Sequence, residues 1–130
     1  MTLTEFHYAK VGLSKVPYKC KSNDGKTFER YVMARSRYSA LIQITRCEVE
    51  NIVYCDTTME NWKDKAIFID KYIDYRILSL GGKKITKKEK DIIAEGVWGW
   101  FEDNTDPCDV DYKILTKHHI ISRVIDTLFR

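Results

Sequence analysis

No apolar run in this 130-residue sequence approaches the roughly 20 residues that a membrane-spanning helix needs. The opening residues, MTLTEFHYAKVG, hold neither an apolar core nor a small-residue cleavage site, so no export signal is read. The expected compartment is the cytoplasm, or a host cytoplasm for a mobile-element protein. None of the four cysteines, Cys20, Cys47, Cys55 and Cys108, forms a C-x-x-C pair, which argues against a zinc finger or a thioredoxin-type site. Without export, disulfides are not expected, and the thiols read as reduced and mostly buried. The glycine pair Gly81-Gly82 matches neither a Walker A loop nor a dinucleotide fingerprint, so nucleotide binding in those styles is not expected. There is no internal repeat, low-complexity tract or linker, and residues 1–130 read as one domain.

The composition present is that of a folded chain. Hydrophobic residues make up 44% and charged residues 32%, enough apolar material for a core without staples. The formal net charge of +3 hides a division. Residues 1–47 carry nine Lys/Arg against three acids, a net of +6, while residues 48–130 carry 13 against 16, a net of −3. A basic N-terminal third can steer an acidic partner, although it says nothing about fold.

The first half reads as strands. Phe6–Val11 is a weak first strand. VPYKCKS and KTFERYVMA flank Asn23-Asp24-Gly25, a strong hairpin signal. A three-residue loop with Gly25 left-handed pairs Ser22 with Lys26, Cys20 with Phe28, Lys19 with Glu29 and Val16 with Val32. A four-residue loop would set Lys21 against Lys26 and Lys19 against Phe28, so the first register wins on cross-strand pairing. Ser36 or Ser39 can cap a helix that carries Tyr38, Leu41, Ile42 and Thr45 on one side. Glu50–Cys55, β-branched and apolar, is expected as a further strand.

The second half reads as helical. Thr57 with Glu60, or Asn61 with Asp64, offers a start. Trp62, Ala66, Ile69, Ile73, Ile77 and Leu80 follow at helical spacing, widened by Phe68, Tyr72 and Tyr75, and Gly81-Gly82 serve as a left-handed C-cap. Thr86 and Glu89 form a capping box for the next helix, whose expected core stripe is Ile85, Ile92, Ile93, Gly96, Val97 and Trp100. Asp106-Pro107 opens a last helix with Ile114, His118, Ile121, Ile125 and Leu128 on one face. The expected class is α+β: an N-terminal antiparallel hairpin or small sheet with one intervening helix, then a C-terminal three-helix segment packed on it.

Candidate binding groups fall in three places. GVWGWFED puts Trp98 opposite the core stripe, aligned with Asp91, Glu95 and Glu102. An indole among carboxylates calls for cover, either from the same chain or from a partner, and Trp is the residue type most enriched in binding hot spots. Gly96 and Gly99 each cost about 1 kcal/mol in a helix, which suggests a close neighbour or fraying there. Lys83, Lys84, Lys87, Lys88 and Lys90 gather at a helix start, where free amides and ammonium groups favour an anion; the plainer alternative is a solvated face. Arg35, Arg37 and Tyr38, near Arg30 and Tyr31, mix guanidinium and aromatic groups as single-strand binders do, or else form a basic edge that protects a sheet.

Metal and cofactor chemistry has less support. Glu102, Asp103, Asp106, Asp109 and Asp111 lack the glycine turn of a calcium loop, and Asp106 serves better as an N-cap. His118 and His119 diverge by about 100° and cannot share one metal from their helix. His118 is read as a hydrogen-bonded core histidine, and His119 joins Ser122, Arg123 and Asp126 on the polar face. No cofactor is implied.

The first functional reading is a non-enzymatic protein-binding module, an inhibitor or regulator of a larger complex, anchored by Trp98 with Glu95 and Glu102. The alternative is a nucleic-acid-binding protein using Arg35, Arg37, Tyr38 and the lysines Lys83, Lys84, Lys87 and Lys88. A small enzyme with a dispersed histidine site ranks third. In general character the chain is similar to small phage or mobile-element accessory proteins, a likeness of type carried by no motif. Its tyrosine and tryptophan content would also suit a homodimer face.

Overall fold

The structure, a computed structural model, describes residues 11–55, 67, 69–103 and 110–129, and the side chains of these except 53–55 and 110–117. In chain order the elements are β1 (Ser14–Ser22), β2 (Thr27–Ala34), α1 (Arg37–Cys55), β3 (Tyr75–Leu80), α2 (Lys87–Asp103) and α3 (Val110–Leu128). The class is α+β, and the three strands form an antiparallel sheet in the order β2-β1-β3. The expected Phe6–Val11 strand, the Thr57 to Ala66 helix start and the Asp106-Pro107 cap lie outside the described residues.

The hairpin has the register that cross-strand pairing selects. Val16 faces Val32, Lys19 faces Glu29 and Cys20 faces Phe28. Ser22 N–H donates to the Lys26 carbonyl at 2.9 Å, and Gly25 sits at φ +86°. Asp24 fixes the loop by accepting from the Ser22 hydroxyl and from the Lys26 N–H. Those bonds hold its carboxyl below the usual range.

Ser36 caps α1, its Oγ accepting from Ser39 N–H at 3.1 Å. The helix does not stop before Glu50. Val49 and Ile52 continue the buried row of Leu41, Ile44 and Thr45 at three- and four-residue steps. With no breaker after Arg46, helical continuity overrides the strand preference of Ile52-Val53, and the strand expected over Glu50–Cys55 is absent. Tyr38, at the start of that side of the helix, is 42% exposed.

The helix expected to run through Leu80 also ends early. Ile69 and Ile73 are buried, but Tyr75–Leu80 is a strand on the far edge of β1. A bulge makes the misreading intelligible. Cys20 pairs with Ile77 and Lys19 with Ser79, so Leu78 is an extra residue and the inward pair Ile77 and Leu80 stands three apart. A bulged strand thus continues the four-residue spacing of Ile69 and Ile73. Gly81 and Gly82 adopt left-handed φ of +58° and +75°, yet they close a two-residue turn, not a helix. Leu80 N–H donates to Lys83 O at 3.0 Å and Lys83 N–H donates back at 3.2 Å.

The Thr86–Glu89 capping box forms, with Glu89 N–H donating to Thr86 Oγ1 at 3.2 Å and Thr86 N–H to Glu89 Oε1 at 3.3 Å. The buried row of α2 is Glu89, Ile93, Val97 and Phe101. It is shifted from the expected stripe, because Phe101 replaces Trp100 as the deep aromatic. Trp100 is half-buried, lies edge-on to Phe101 and carries the Arg46 guanidinium 5.2 Å above its ring. Gly96 is the close approach that its cost implied: a Cβ there would lie 2.5 Å from Ile42 Cδ1.

On α3, Ile121, Ile125 and Leu128 are buried as expected, joined by Ile120 and Val124. His118 is exposed, not a core histidine. Arg123 Nη2 and Thr127 Oγ1 hold Asp70, at 2.5 and 3.2 Å, and so dock residues 69–72 on α3. α1 packs against β2, and α3 against β3. The core of Cys20, Ala34, Leu41, Ile77, Leu80, Ile93 and Ile121 lies between sheet and helices.

Candidate functional site

Strand alternation sends β1 residues Tyr18 and Cys20 into the core and Lys15, Pro17, Lys19 and Lys21 to the opposite face, where all four are exposed. Pairing fills in that outer face. On the β2 side Lys15 meets Met33, Pro17 meets Tyr31, Lys19 meets Glu29 and Lys21 meets Thr27. On the β3 side Lys19 meets Ser79 and Lys21 meets Arg76. The bulge turns Leu78 outward, 41% exposed, and Tyr31 is 52% exposed. Lys15 Nζ lies 4.2 Å from the Tyr31 ring centroid, within cation–π range. Among the described residues this face therefore carries Lys15, Lys19, Lys21 and Arg76 against the single acid Glu29, with an open tyrosine and an open leucine flanking β1.

The basic groups singled out by sequence are spread differently. Arg35 and Tyr38 are exposed where β2 passes into α1. Arg37 is not available as an anion contact. Its Nε meets Glu89 Oε2 at 2.6 Å, and its Nη2 donates to the carbonyls of Lys83 and Lys84 at 3.0 and 3.3 Å. It ties the start of α1 to the turn before α2, and the same pairing pulls the Glu89 carboxyl below its ordinary range. Lys83, Lys84, Lys87 and Lys88 are exposed. Lys87 and Lys90 line a groove of about 460 Å³ between α2 and α3, but Asp91 and Asp126 line it too, so its charge is mixed. The turn bearing Lys83 adjoins β1, since Gly81 N–H donates to Pro17 O at 2.9 Å.

Trp98 is half-buried, packed against the core, with the His118 ring edge-on at 5.3 Å. Glu95 and Glu102 are exposed beside it. α3 thus supplies part of the cover that the sequence required. Of the thiols, Cys20 is buried as expected and Cys47 is exposed, while the side chains of Cys55 and Cys108 lie outside the described residues. No group of three or more metal-type ligands converges among the described residues. No described helix is long and apolar enough to cross a membrane.

One cluster escaped the sequence reading. Tyr75 Oη donates to Glu48 Oε1 at 3.0 Å, and the Arg30 guanidinium lies 4.7 Å from the Phe28 ring and 5.3 Å from the Tyr75 ring. Burial, and then the nearby Glu48, push the Tyr75 hydroxyl well above its usual range. Burial likewise raises the Glu48 carboxyl, the Tyr18 hydroxyl and the Cys20 thiol. The Tyr18–Arg30 pairing was legible in the hairpin register, whereas Glu48 and Tyr75 meet only once Tyr75 is placed on a strand. The cluster braces α1 against the hairpin. Comparison with protein-family models, with curated proteins and with solved structures finds no match for this chain.

Proposed function

We propose that this chain is a nucleic-acid-binding protein and that its ligand lies on the outer face of the sheet. One observation carries the reading: Lys15, Lys19, Lys21 and Arg76 share a face with Tyr31 and Leu78, with Glu29 as the acid among them. A net positive surface with no described helix across it suits a polyanion, and phosphate neutralisation supplies much of the affinity of such contacts. In this reading the basic N-terminal third acts through β1, since Arg37 is engaged with Glu89. The test is binding of labelled DNA and RNA oligonucleotides at about 50 and 200 mM salt, where phosphate contacts lose affinity steeply. Wild type is expected to bind at the lower salt, and Lys19→Glu/Lys21→Glu is expected to lose binding with its circular dichroism unchanged. Equal binding by the variant overturns the reading.

A second reading, the protein-binding regulator, is favoured by the residual exposure of Trp98 between exposed Glu95 and Glu102. It replaces the first if the sheet variants lose nothing while Trp98→Ala and Glu95→Lys/Glu102→Lys, both folded, release a partner that copurifies with wild type.

A further inference from the structure

We infer that the nucleic acid held on this sheet is single-stranded and runs along β1, with a base stacked on Tyr31. The inference rests on the nucleic-acid reading above and narrows it by shape. Three strands about 4.8 Å apart put the two edge backbones about 10 Å from each other before side chains are counted. The major groove of a duplex is about 12 Å wide and admits a helix or a two-stranded ribbon, not a broad three-stranded face.

The exposed apolar groups point the same way. Tyr31 is 52% exposed on β2 and Leu78 is 41% exposed on β3, one on each side of the lysine row. In a duplex the base faces are hidden in the stack, so an exposed ring has nothing to stack on. In a single strand each base has an open π-face, and stacking on an aromatic side chain is tolerant of sequence. The Lys15 ammonium lies over one face of the Tyr31 ring, 4.2 Å from its centroid, so the base takes the other face and the cation stands within reach of the adjoining phosphate. Lys19 and Lys21, two residues apart on one face, stand about 6.6 Å from each other along β1. That spacing offers successive cations to an extended backbone. An acidic protein could satisfy the lysines as well, and the polyglutamate arm of the test separates it from a nucleic acid.

Fluorescence anisotropy decides it, using an oligothymidine of about 15 nucleotides, within the span of single-strand sites, a duplex of equal length and a polyglutamate of matched charge. The single strand is expected to bind at least about tenfold more tightly than either competitor. Tyr31→Ala should weaken it about five- to a hundredfold, the range of a lost stacking contact. Tyr31→Phe, which keeps the ring, should bind like wild type. If the duplex binds as well as the single strand, or Tyr31→Ala binds like wild type, while Lys19→Glu/Lys21→Glu still abolishes binding, the single-strand inference falls and the nucleic-acid reading stands. If polyglutamate equals the oligonucleotide, or no nucleic acid binds, both fall.

Discussion

The two faces of the sheet are built from the same three strands yet answer to different physics. On the inner face Cys20, Ile77 and Leu80 are at most 1% exposed and pack under α1 and α3. On the outer face their immediate neighbours Lys19, Lys21 and Leu78 are open. A one-residue slip would exchange the two sets, so burial of the inner set fixes the register. The outer set is under no such constraint. Burial does not dictate its residues, so a concentration of positive charge with open tyrosine and leucine there calls for another explanation than core packing. That asymmetry is the physical ground for locating function on the outer face.

The sharpest way to break the comparison is a pair of adjacent leucine-sized residues. Ile77→Ala removes a fully buried side chain beneath α3 and should cost about 2–5 kcal/mol in urea denaturation. Leu78→Ala, one residue on, should cost no more than about 0.5 kcal/mol and should show its effect, if any, in oligonucleotide affinity. Comparable losses of stability would mean that the outer face is covered. Next in size is Arg37→Ala, which strands a nearly buried Glu89 carboxylate and two carbonyls. Losing hydrogen bonds to a charged partner should cost about 1.5–3 kcal/mol. Oligonucleotide affinity should stay at the wild-type level, because this guanidinium is already spent on the fold.

How much of this was legible in the sequence follows from range. The hairpin loop, the α1 cap and the Thr86–Glu89 box are set by residues within a few positions of one another; the loop and the box form as read, and of the two caps offered, Ser36 and Ser39, the structure takes Ser36. The errors came where distant partners decide. Tyr75–Leu80 is a strand because β1 offers it an edge more than fifty residues away, and the bulge at Leu78 disguised its period. Arg37 looked like a nucleic-acid contact because Glu89 is remote in sequence. The outer face itself was half legible. The Lys15, Lys19 and Lys21 alternation is visible in β1, but Arg76 and Leu78 join it only through the unexpected third strand.

Acidity offers a finer separation, because two glutamates shift in opposite directions. Arg37 depresses the Glu89 carboxyl, so its contribution to stability is present above the ordinary carboxylate pKa of about 4.3 and is lost as pH falls through the lowered value. Burial raises the Glu48 carboxyl, so its contribution is present below that ordinary pKa and is lost as pH rises through the raised value. Glu89→Gln should therefore lower the melting temperature at neutral pH and flatten the acid limb. Glu48→Gln should instead remove the loss that wild type suffers as pH rises above the carboxylate range. Melting curves from pH 3 to 7, spanning about four units around the carboxylate pKa, check both signs. A common direction for the two variants would mean that the Tyr75 hydrogen bond outweighs burial at Glu48.

The smallest effect repeats the two-face contrast within one helix. A Cβ at Gly96 would meet Ile42 Cδ1 at 2.5 Å and Cγ1 at 3.0 Å, whereas at Gly99 it would meet nothing within 4 Å. Both positions are helical, so alanine gains about 1 kcal/mol of intrinsic preference at each. At Gly99 that gain is unopposed, and Gly99→Ala should raise stability by about 0.5–1 kcal/mol. At Gly96 the added methyl presses on a β-branched side chain between α1 and α2, and overpacking of about 1–3 kcal/mol should cancel or exceed the gain. Truncating the obstacle tests the cause: in an Ile42→Ala background, Gly96→Ala should recover the gain seen at Gly99. If it does not, the glycine at position 96 is held by something other than the approach of α1.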